Sequence, residues 1–389
     1  MWKLSADVHP FALPEASLMR EDRRESLMIR TISAACAAAI TLAFIPDVSA
    51  AQPVSNADPS AVTMSAADNR AVVLSLAQVL RERFAFHDRG IAAARTIEAM
   101  ERRGAFREAR TAAGLLALID TQIAPVVDDR HFRVRYVGPE VTAGFNEAPP
   151  TTEDVAAFQE EVRLRGGEIP EVRWLAGNVG YLRVRMFLDS PPSAEKLAAG
   201  LNMLSDVSAL IIDVRGAPGG DPAGVANAIG HLVRERTPTV RTQNPHDATA
   251  SRTYYAEPRT PNFADRPVFV LIDKRTGSGA EEFAYDLQAL RRATLIGQTT
   301  YGAATPGGLR PLAKGFAAFI PMEQVANTLT GANWEGVGVS PDVEVPSEQA
   351  LTRAHRLALE AVLKDAQGVR REIAEEGLAS LDASSGDQP

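Results

Sequence analysis

The chain has a single cysteine, Cys36, among 389 residues. That excludes a disulfide framework and any metal site built from several thiolates. It also lacks a block of Lys or Arg. With a formal net charge of −8 and a pI near 5.4, it offers neither bulk phosphate neutralisation nor polybasic attraction. Nucleic acid and anionic membrane surfaces are therefore excluded as main partners. No Walker loop, GxGxxG fingerprint or internal repeat is present, so no cofactor and no resident metal is expected. The longest apolar run, TISAACAAAITLAFI after Arg30, is shorter than a bilayer-spanning helix requires, so no stable membrane anchor is expected.

That run has the length of a signal-peptide core, and the small-residue cleavage signal Val48-Ser49-Ala50 follows it. Translation from Met28 would give a conventional signal peptide. Residues 1–50 are thus read as an upstream extension plus export signal, which places the mature chain, without Cys36, in the periplasm or outside the cell.

What remains is an ordinary globular composition, 45% hydrophobic and 23% charged, enough for one large domain and a smaller one. A polar linker (51–70) leads to helical patterns in AVVLSLAQVLRERF, IAAARTIEAMERR and TAAGLLALIDTQIAPVV, which make a helical N-terminal domain over 71–136. Prolines punctuate a connecting segment, 137–173, around one charged helix. From 174 to 362 the period changes. Strand-like runs VGYLRVRMF, ALIIDV, VFVLID, ATLIG and GFAAFIP alternate with helical stretches, which predicts an α/β core with a mostly parallel sheet. The tail, 363–389, ends in LASLDASSGDQP, whose composition predicts disorder at its end.

Two strand-to-helix junctions stand out. In ALIIDVRGAPGGDPAG a buried strand ends at Asp213 and enters a turn with Gly216, Gly219 and Gly220, which can present bare N–H groups. In DKRTGSGAEEFAYDLQAL, Ser278 stands between Gly277 and Gly279 at the N-cap of an amphipathic helix. A serine needed only as a cap gains nothing from flanking glycines. A nucleophile does, because glycine permits a strained turn and close approach of a carbonyl, and the helix N-terminus favours developing negative charge.

The run RTGSGAEEFAYDLQALRRATLIGQTT resembles the nucleophile segment of the S41 peptidase family, T-x-S-A-x-E. DVRGAPGG is similar to that family's D-x-R-x-N-x-G-G, with Ala217 where Asn is common, and GVGVSPDVEV to its G-V-x-P-D-x-x-V. The resemblance implies a crotonase-like core, with Ser278 as nucleophile and the oxyanion held by N–H groups of Gly279 and of the Gly219-Gly220 turn. A base must still be found. The lysine of the processing-peptidase branch is absent, since Tyr301-Gly302-Ala303-Ala304 occupies its turn, and Lys274 and Lys314 read as surface residues. The tricorn-like branch instead implies His131, in VVDDRHFRVRY, as base and Glu335, in NWEGVGVSPD, as its partner. Arg130 stands where that branch has serine, which makes Arg130 and Asp129 candidate supports of the histidine. His87, His231, His246 and His355 lack such context. The segment from Val137 to Leu175 is too short for a PDZ domain. The function implied is that of an exported serine peptidase acting on peptides or unfolded polypeptides. The alternative is a non-catalytic module of the same fold that binds an apolar ligand such as a retinoid or fatty acid.

Overall fold

The computed structural model describes residues 58–145 and 149–386. The apolar run, Cys36 and the cleavage signal lie outside the described residues. Within them, no helix is long and apolar enough to cross a membrane.

Helix α1 (Ala66–Arg83) begins at a reciprocal cap. Ser65 Oγ accepts the N–H of Asp68, and the Asp68 carboxylate accepts the N–H of Ser65. Its face of Val72, Val73, Leu76 and Leu80 is buried with Ile97 of α2 (His87–Arg102) and with Leu115 and Ile119 of α3 (Ala112–Gln122). Each such side chain contributes roughly 1.5–3 kcal/mol of burial. A short α4 (Ala124–Val127) ends at Asp128, whose φ of 52° turns the chain sharply. Arg89 Nη2 donates to the carbonyls of Val127 (2.7 Å) and Asp128 (2.6 Å), satisfying groups the helix end leaves open. This helical core does not close on itself. It continues into the strand residues Phe316, Ala318 and Ile320.

Strand β1 (Arg133–Tyr136) follows. The segment read from the sequence as an irregular connection contains α5 (Pro139–Gly144) and α6 (Thr152–Leu164), and from Glu171 it already supplies a strand of the main sheet, β2 (Glu171–Leu175). Then come β3 (Val179–Arg183), β4 (Met186–Phe187), α7 (Pro191–Met203), β5 (Ala209–Asp213), β6 (Gly219–Gly220) and α8 (Pro222–Gly230). A hairpin of β7 (Thr237–Asn244) and β8 (Asp247–Ala256) precedes β9 (Val268–Ile272), α9 (Gly279–Ala289) and β10 (Thr294–Gly297). The chain finishes with β11 (Gly307–Pro311), β12 (Phe316–Pro321), β13 (Gln324–Asn327), β14 (Val343–Glu344), α10 (Ala350–Leu363) and α11 (Val369–Gly386).

The main sheet has the order β14-β10-β9-β5-β3-β2, parallel throughout except at the antiparallel edge strand β2. Its central strands, ALIID and VFVLI, are buried at every residue, as strands covered on both faces must be. One face packs on α10 through Ala354, Ala358 and Leu359, and the other on α7, α8 and α9 through Leu197, Ile229 and Phe283. The α/β expectation therefore describes the centre of the molecule. It does not describe GFAAFIP, which forms β12 in a separate antiparallel sheet, β1-β12-β11, and a third sheet, β13-β7-β8, is antiparallel too. The reason is local. No helix separates β11 from β12, and a parallel pairing needs a crossover that the short turn at Ala313–Gly315 cannot make. The tail also differs from expectation. Through Gly386 it is helical, because Ala374, Leu378 and Leu381 find apolar cover beside α10.

Candidate active site

Strands β5 and β9 are neighbours in register, with Asp213 opposite Leu271, so the two glycine-bearing junctions leave the sheet side by side at the carboxyl ends of the strands. Ligands of open α/β sheets bind at that edge. Three hydrogen bonds tie the junctions together. Gly216 N–H donates to Asp273 Oδ1 (2.9 Å), Thr276 Oγ1 to the Val214 carbonyl (3.0 Å), and Gly277 N–H to the Ala217 carbonyl (2.9 Å). The backbones then meet. A Cβ on Gly279 would lie 2.6 Å from the Gly220 carbonyl oxygen, and one on Gly220 would lie 2.0 Å from that of Phe187. Gly219 and Gly220 have φ of 138° and 142°, values that suit glycine alone.

Ser278 occupies the N-cap of α9, yet with backbone dihedrals unlike those of an ordinary cap. Ser65 on α1 has extended dihedrals (φ −93°, ψ 163°), whereas Ser278 has φ 50° and ψ −124°. Its carbonyl takes the N–H groups of Glu281 (2.8 Å) and Glu282 (2.9 Å). A non-glycine residue at positive φ costs on the order of 1–3 kcal/mol and persists only where its surroundings enforce it. The enforcing group is Glu281, the third residue of the helix. Its Oε2 accepts the N–H of Ser278 (2.8 Å) and of Ala303 (2.9 Å), and its Oε1 accepts the N–H of Gly302 (2.6 Å) and the hydroxyl of Thr300 (2.5 Å). Burial dominates over these donors and raises the carboxyl to about 7. Sequence reasoning did not single out Glu281. Its signal was available, because it is the last letter of the T-x-S-A-x-E pattern and sits where a capping-box acid sits.

The strap of residues 300–305 continues to a second carboxylate. Glu335 Oε2 accepts the N–H of Ala304 (2.6 Å), the N–H of Thr305 (3.2 Å) and the Thr305 hydroxyl (3.3 Å), while Oε1 accepts the N–H of Arg130 (2.8 Å). Trp334 Nε1 pins the same strap at the Ala303 carbonyl (3.0 Å). Ligand atoms of Asp129, His131 and Glu335 all lie within 4.8 Å of one another. That trio has donor types and spacing able to hold a divalent cation as well as a proton. His131 stands two residues before β1, its ring stacked on Phe319 of β12 at 5.5 Å, its backbone N–H donating to Asp129 Oδ1 (2.9 Å). Both ring nitrogens are out of solvent contact. Burial holds its imidazole well below the usual range, partly opposed by the nearby Glu335 charge. Burial, then the Glu335 charge, push Asp129 up to about 7. Arg130 is exposed. It lies over the Tyr301 ring at 5.5 Å and donates to the Gly336 carbonyl (3.3 Å).

The sequence-predicted residues therefore gather in two groups. Ser278, Gly279, Gly219 and Gly220 form one, and Asp129, Arg130, His131 and Glu335 the other. Consecutive peptide units of a single strap connect them, and Ser278 and His131 share no hydrogen bond. The lysines stay outside: Lys274 is exposed and Lys314 pairs with Asp68 at 2.7 Å. Three other histidines bind backbone carbonyls, His231 that of Pro261, His246 that of Phe84 and His355 that of Ala176.

A mostly parallel sheet with a strained serine between glycines at a helix start places the architecture among the α/β protein families. Comparison with known families identifies which. The model of peptidase family S41 matches residues 178–345, and that of the N-terminal domain of peptidase S41 in eukaryotic IRBP matches residues 60–164. The chain belongs to the S41 peptidase family. A carboxyl-terminal-processing protease of Synechocystis sp. is 32% identical over 174 residues, which cover 43% of this chain and 39% of that protein. The carboxy-terminal processing protease CtpB of Bacillus subtilis is 28% identical over 166 residues, covering 40% and 33%. The chain thus spans well under half the length of these relatives. Among solved structures, a candidate peptidase of Parabacteroides merdae shares the fold, with a TM-score of 0.53 at 19% identity over 78% of this chain and 98% of that one.

Proposed function

We propose that the protein is an exported serine endopeptidase that cleaves peptide or unfolded polypeptide substrates through an acyl-enzyme on Ser278, carried on a crotonase-like core. The observation that carries this reading is the backbone of Ser278, held at φ 50° and ψ −124° by the buried Glu281 carboxylate. A helix cap needs no such strain, whereas a hydroxyl presented at a sharp strand-to-helix turn does. In the proposed reaction Ser278 Oγ attacks the substrate carbonyl and its proton passes to His131. N–H groups of Gly279 and of the Gly219-Gly220 turn receive the oxyanion. His131 then protonates the departing amine, and water hydrolyses the ester. Glu335, bound to the Arg130 N–H and within reach of the imidazole, stabilises the imidazolium. Both groups are tied to one strap through Glu281 and Glu335, and the reaction requires a closure on substrate binding that brings hydroxyl and imidazole together. Catalytic hydrogen bonds commonly tighten only in the substrate complex. A role as a carrier of retinoid or fatty acid is less favoured: the match of residues 60–164 is to a domain of IRBP, but the full-length relatives named above are processing proteases.

Purified protein treated with a fluorophosphonate should form a covalent adduct at neutral pH. Ser278→Ala should abolish the adduct, and His131→Ala should slow it at least a hundredfold, the usual scale of a general base. Undiminished labelling in Ser278→Ala would remove the serine from the mechanism.

A further inference from the structure

We propose that a cleft on the outer side of α8 binds carboxylates of the substrate polypeptide a few residues from the bond being cut. The proposal rests on the peptidase reading for its biological sense, but not for its test. The cleft, about 250 Å³, lies between the first two turns of α8, where Ala226 and Asn227 face it, and the end of the β7–β8 hairpin with the loop after it. It is smaller than the ~300–1,000 Å³ typical of small-molecule sites, and so suits one or two side chains rather than a cofactor.

Its chemistry is cationic and aromatic. Arg236, Arg252 and Arg259 line it against a single carboxylate, Glu257, a local surplus of two positive charges in a chain of net charge −8. Arg236 is committed: Nε binds Glu257 at 2.7 Å and the guanidinium lies 3.4 Å over the Tyr255 ring. Arg252 lies 4.7 Å over Tyr254. Neither Arg252 nor Arg259 forms an ion pair with a carboxylate among the described residues, and both are exposed. A guanidinium stacked on a tyrosine is held in place with its fork free, the arrangement that receives a carboxylate in two parallel hydrogen bonds. The side-chain oxygen of Asn227, a residue that lines the cleft, is buried and finds no hydrogen-bond partner among the described residues.

Position argues that the occupant is the substrate itself. Helix α8 starts two residues after Gly220, so Asn227 is roughly 10 Å from the proposed oxyanion turn at 1.5 Å per residue. An extended peptide covers that distance in about three residues. A nucleic acid would be repelled by the overall negative charge and would need a longer basic track.

The test uses full-length Ser278→Ala protein and fluorescein-labelled decapeptides, one rich in Asp and Glu, one with Asn and Gln at those positions, and the acidic one amidated at its C-terminus. Fluorescence anisotropy should show the acidic peptide binding about tenfold or more tighter than the neutral one, and weakening in 0.3 M salt. Arg252→Glu and Arg259→Glu should each erase most of that preference, with unchanged thermal unfolding showing that the fold persists. If amidation also weakens the acidic peptide about tenfold, the chain terminus is bound together with the side chains; if it does not, the carboxylates recognised are the side chains alone. Equal binding of acidic and neutral peptides, insensitivity to both arginine variants, or equally tight binding of a fluorescein-labelled single-stranded oligonucleotide would overturn the proposal. Hydrolysis of the neutral peptide by wild-type protein is read separately. Its absence would count against the peptidase, while the binding data still decide the cleft.

Discussion

Gly279 and Gly220 stand back to back, with room between them for no side chain: a Cβ on Gly279 would lie 2.6 Å from the Gly220 carbonyl oxygen. Gly277, one residue before the serine, is different, since its Cβ would meet nothing nearer than the Pro218 oxygen at 3.3 Å. Gly279→Ala should therefore push the two turns apart, destabilising by about 1–3 kcal/mol and slowing the labelling of Ser278. Gly277→Ala should change stability by less than about 1 kcal/mol. Urea unfolding midpoints and fluorophosphonate labelling of the two variants check this contrast.

Ser278 carries strain that glycine would not. Ser278→Gly is expected to be inactive yet more stable than wild type by up to about 1–2 kcal/mol, the relieved strain exceeding the extra chain entropy of glycine. Ser278→Ala keeps the strain and should unfold near the wild-type midpoint. If both variants unfold together, the serine backbone is not strained.

Glu281 links stability to pH. Its carboxyl, raised to about 7 by burial, keeps a proton that the unfolded chain gives up near 4.5. Between those values the folded state binds more protons, so stability contributed by this group falls as pH rises, by up to about 3 kcal/mol over the window. Glu281→Gln should remove that slope. It should also lower stability at pH 7.5, where the carboxyl is ionised, by about 2–4 kcal/mol, because an amide NH₂ would face donors that a carboxylate oxygen accepts. Unfolding free energies of both proteins from pH 4.5 to 7.5 give the answer.

His131 acts with the opposite sign. Its folded-state pKa is depressed from 6.5, chiefly by burial, so its contribution is complete above pH 6.5 and is lost as pH falls below it. His131→Phe, which keeps the stack on Phe319, should be less sensitive to acid than wild type between pH 6.5 and 4.5. A steeper acid loss in the variant would contradict the assignment.

Arg130 contributes through two parts of different importance. Its backbone N–H, available to any residue but proline, holds Glu335 at 2.8 Å. Its side chain adds the Gly336 hydrogen bond and the Tyr301 stack, together on the order of 1–2 kcal/mol. Arg130→Ser should accordingly reduce kcat/KM less than about tenfold, and Arg130→Pro more than a hundredfold. Peptide hydrolysis rates distinguish the two.

The sequence makes some of this legible and hides the rest for physical reasons. Buried strands such as ALIID and VFVLI announce themselves by composition, and glycine-flanked Ser278 by the conformations glycine permits. Sheet membership is not local: FAAFIP reads the same whether it pairs with β10 or with β11, and only the length of the preceding turn decides. The approach of Glu335 to His131 joins residues some 200 positions apart, and could be anticipated only through resemblance to a family, not from periodicity. Glu281 was overlooked because an acid in the first turn of a helix is ordinary. Its reach to Gly302 and Ala303 depends on how β10 returns the chain.

The strap from Gly302 to Thr305 answers to two carboxylates chiefly through its amide hydrogens, with one added bond from the Thr305 hydroxyl. What is specified there is a run of four donors and small bulk, not a set of side chains. Apart from Gly302, whose φ of 89° favours glycine, such a stretch can drift in sequence among small residues with little consequence, while proline is barred from four successive positions. Residues that matter greatly to the site would then leave almost no trace in the identity of the amino acids that occupy them.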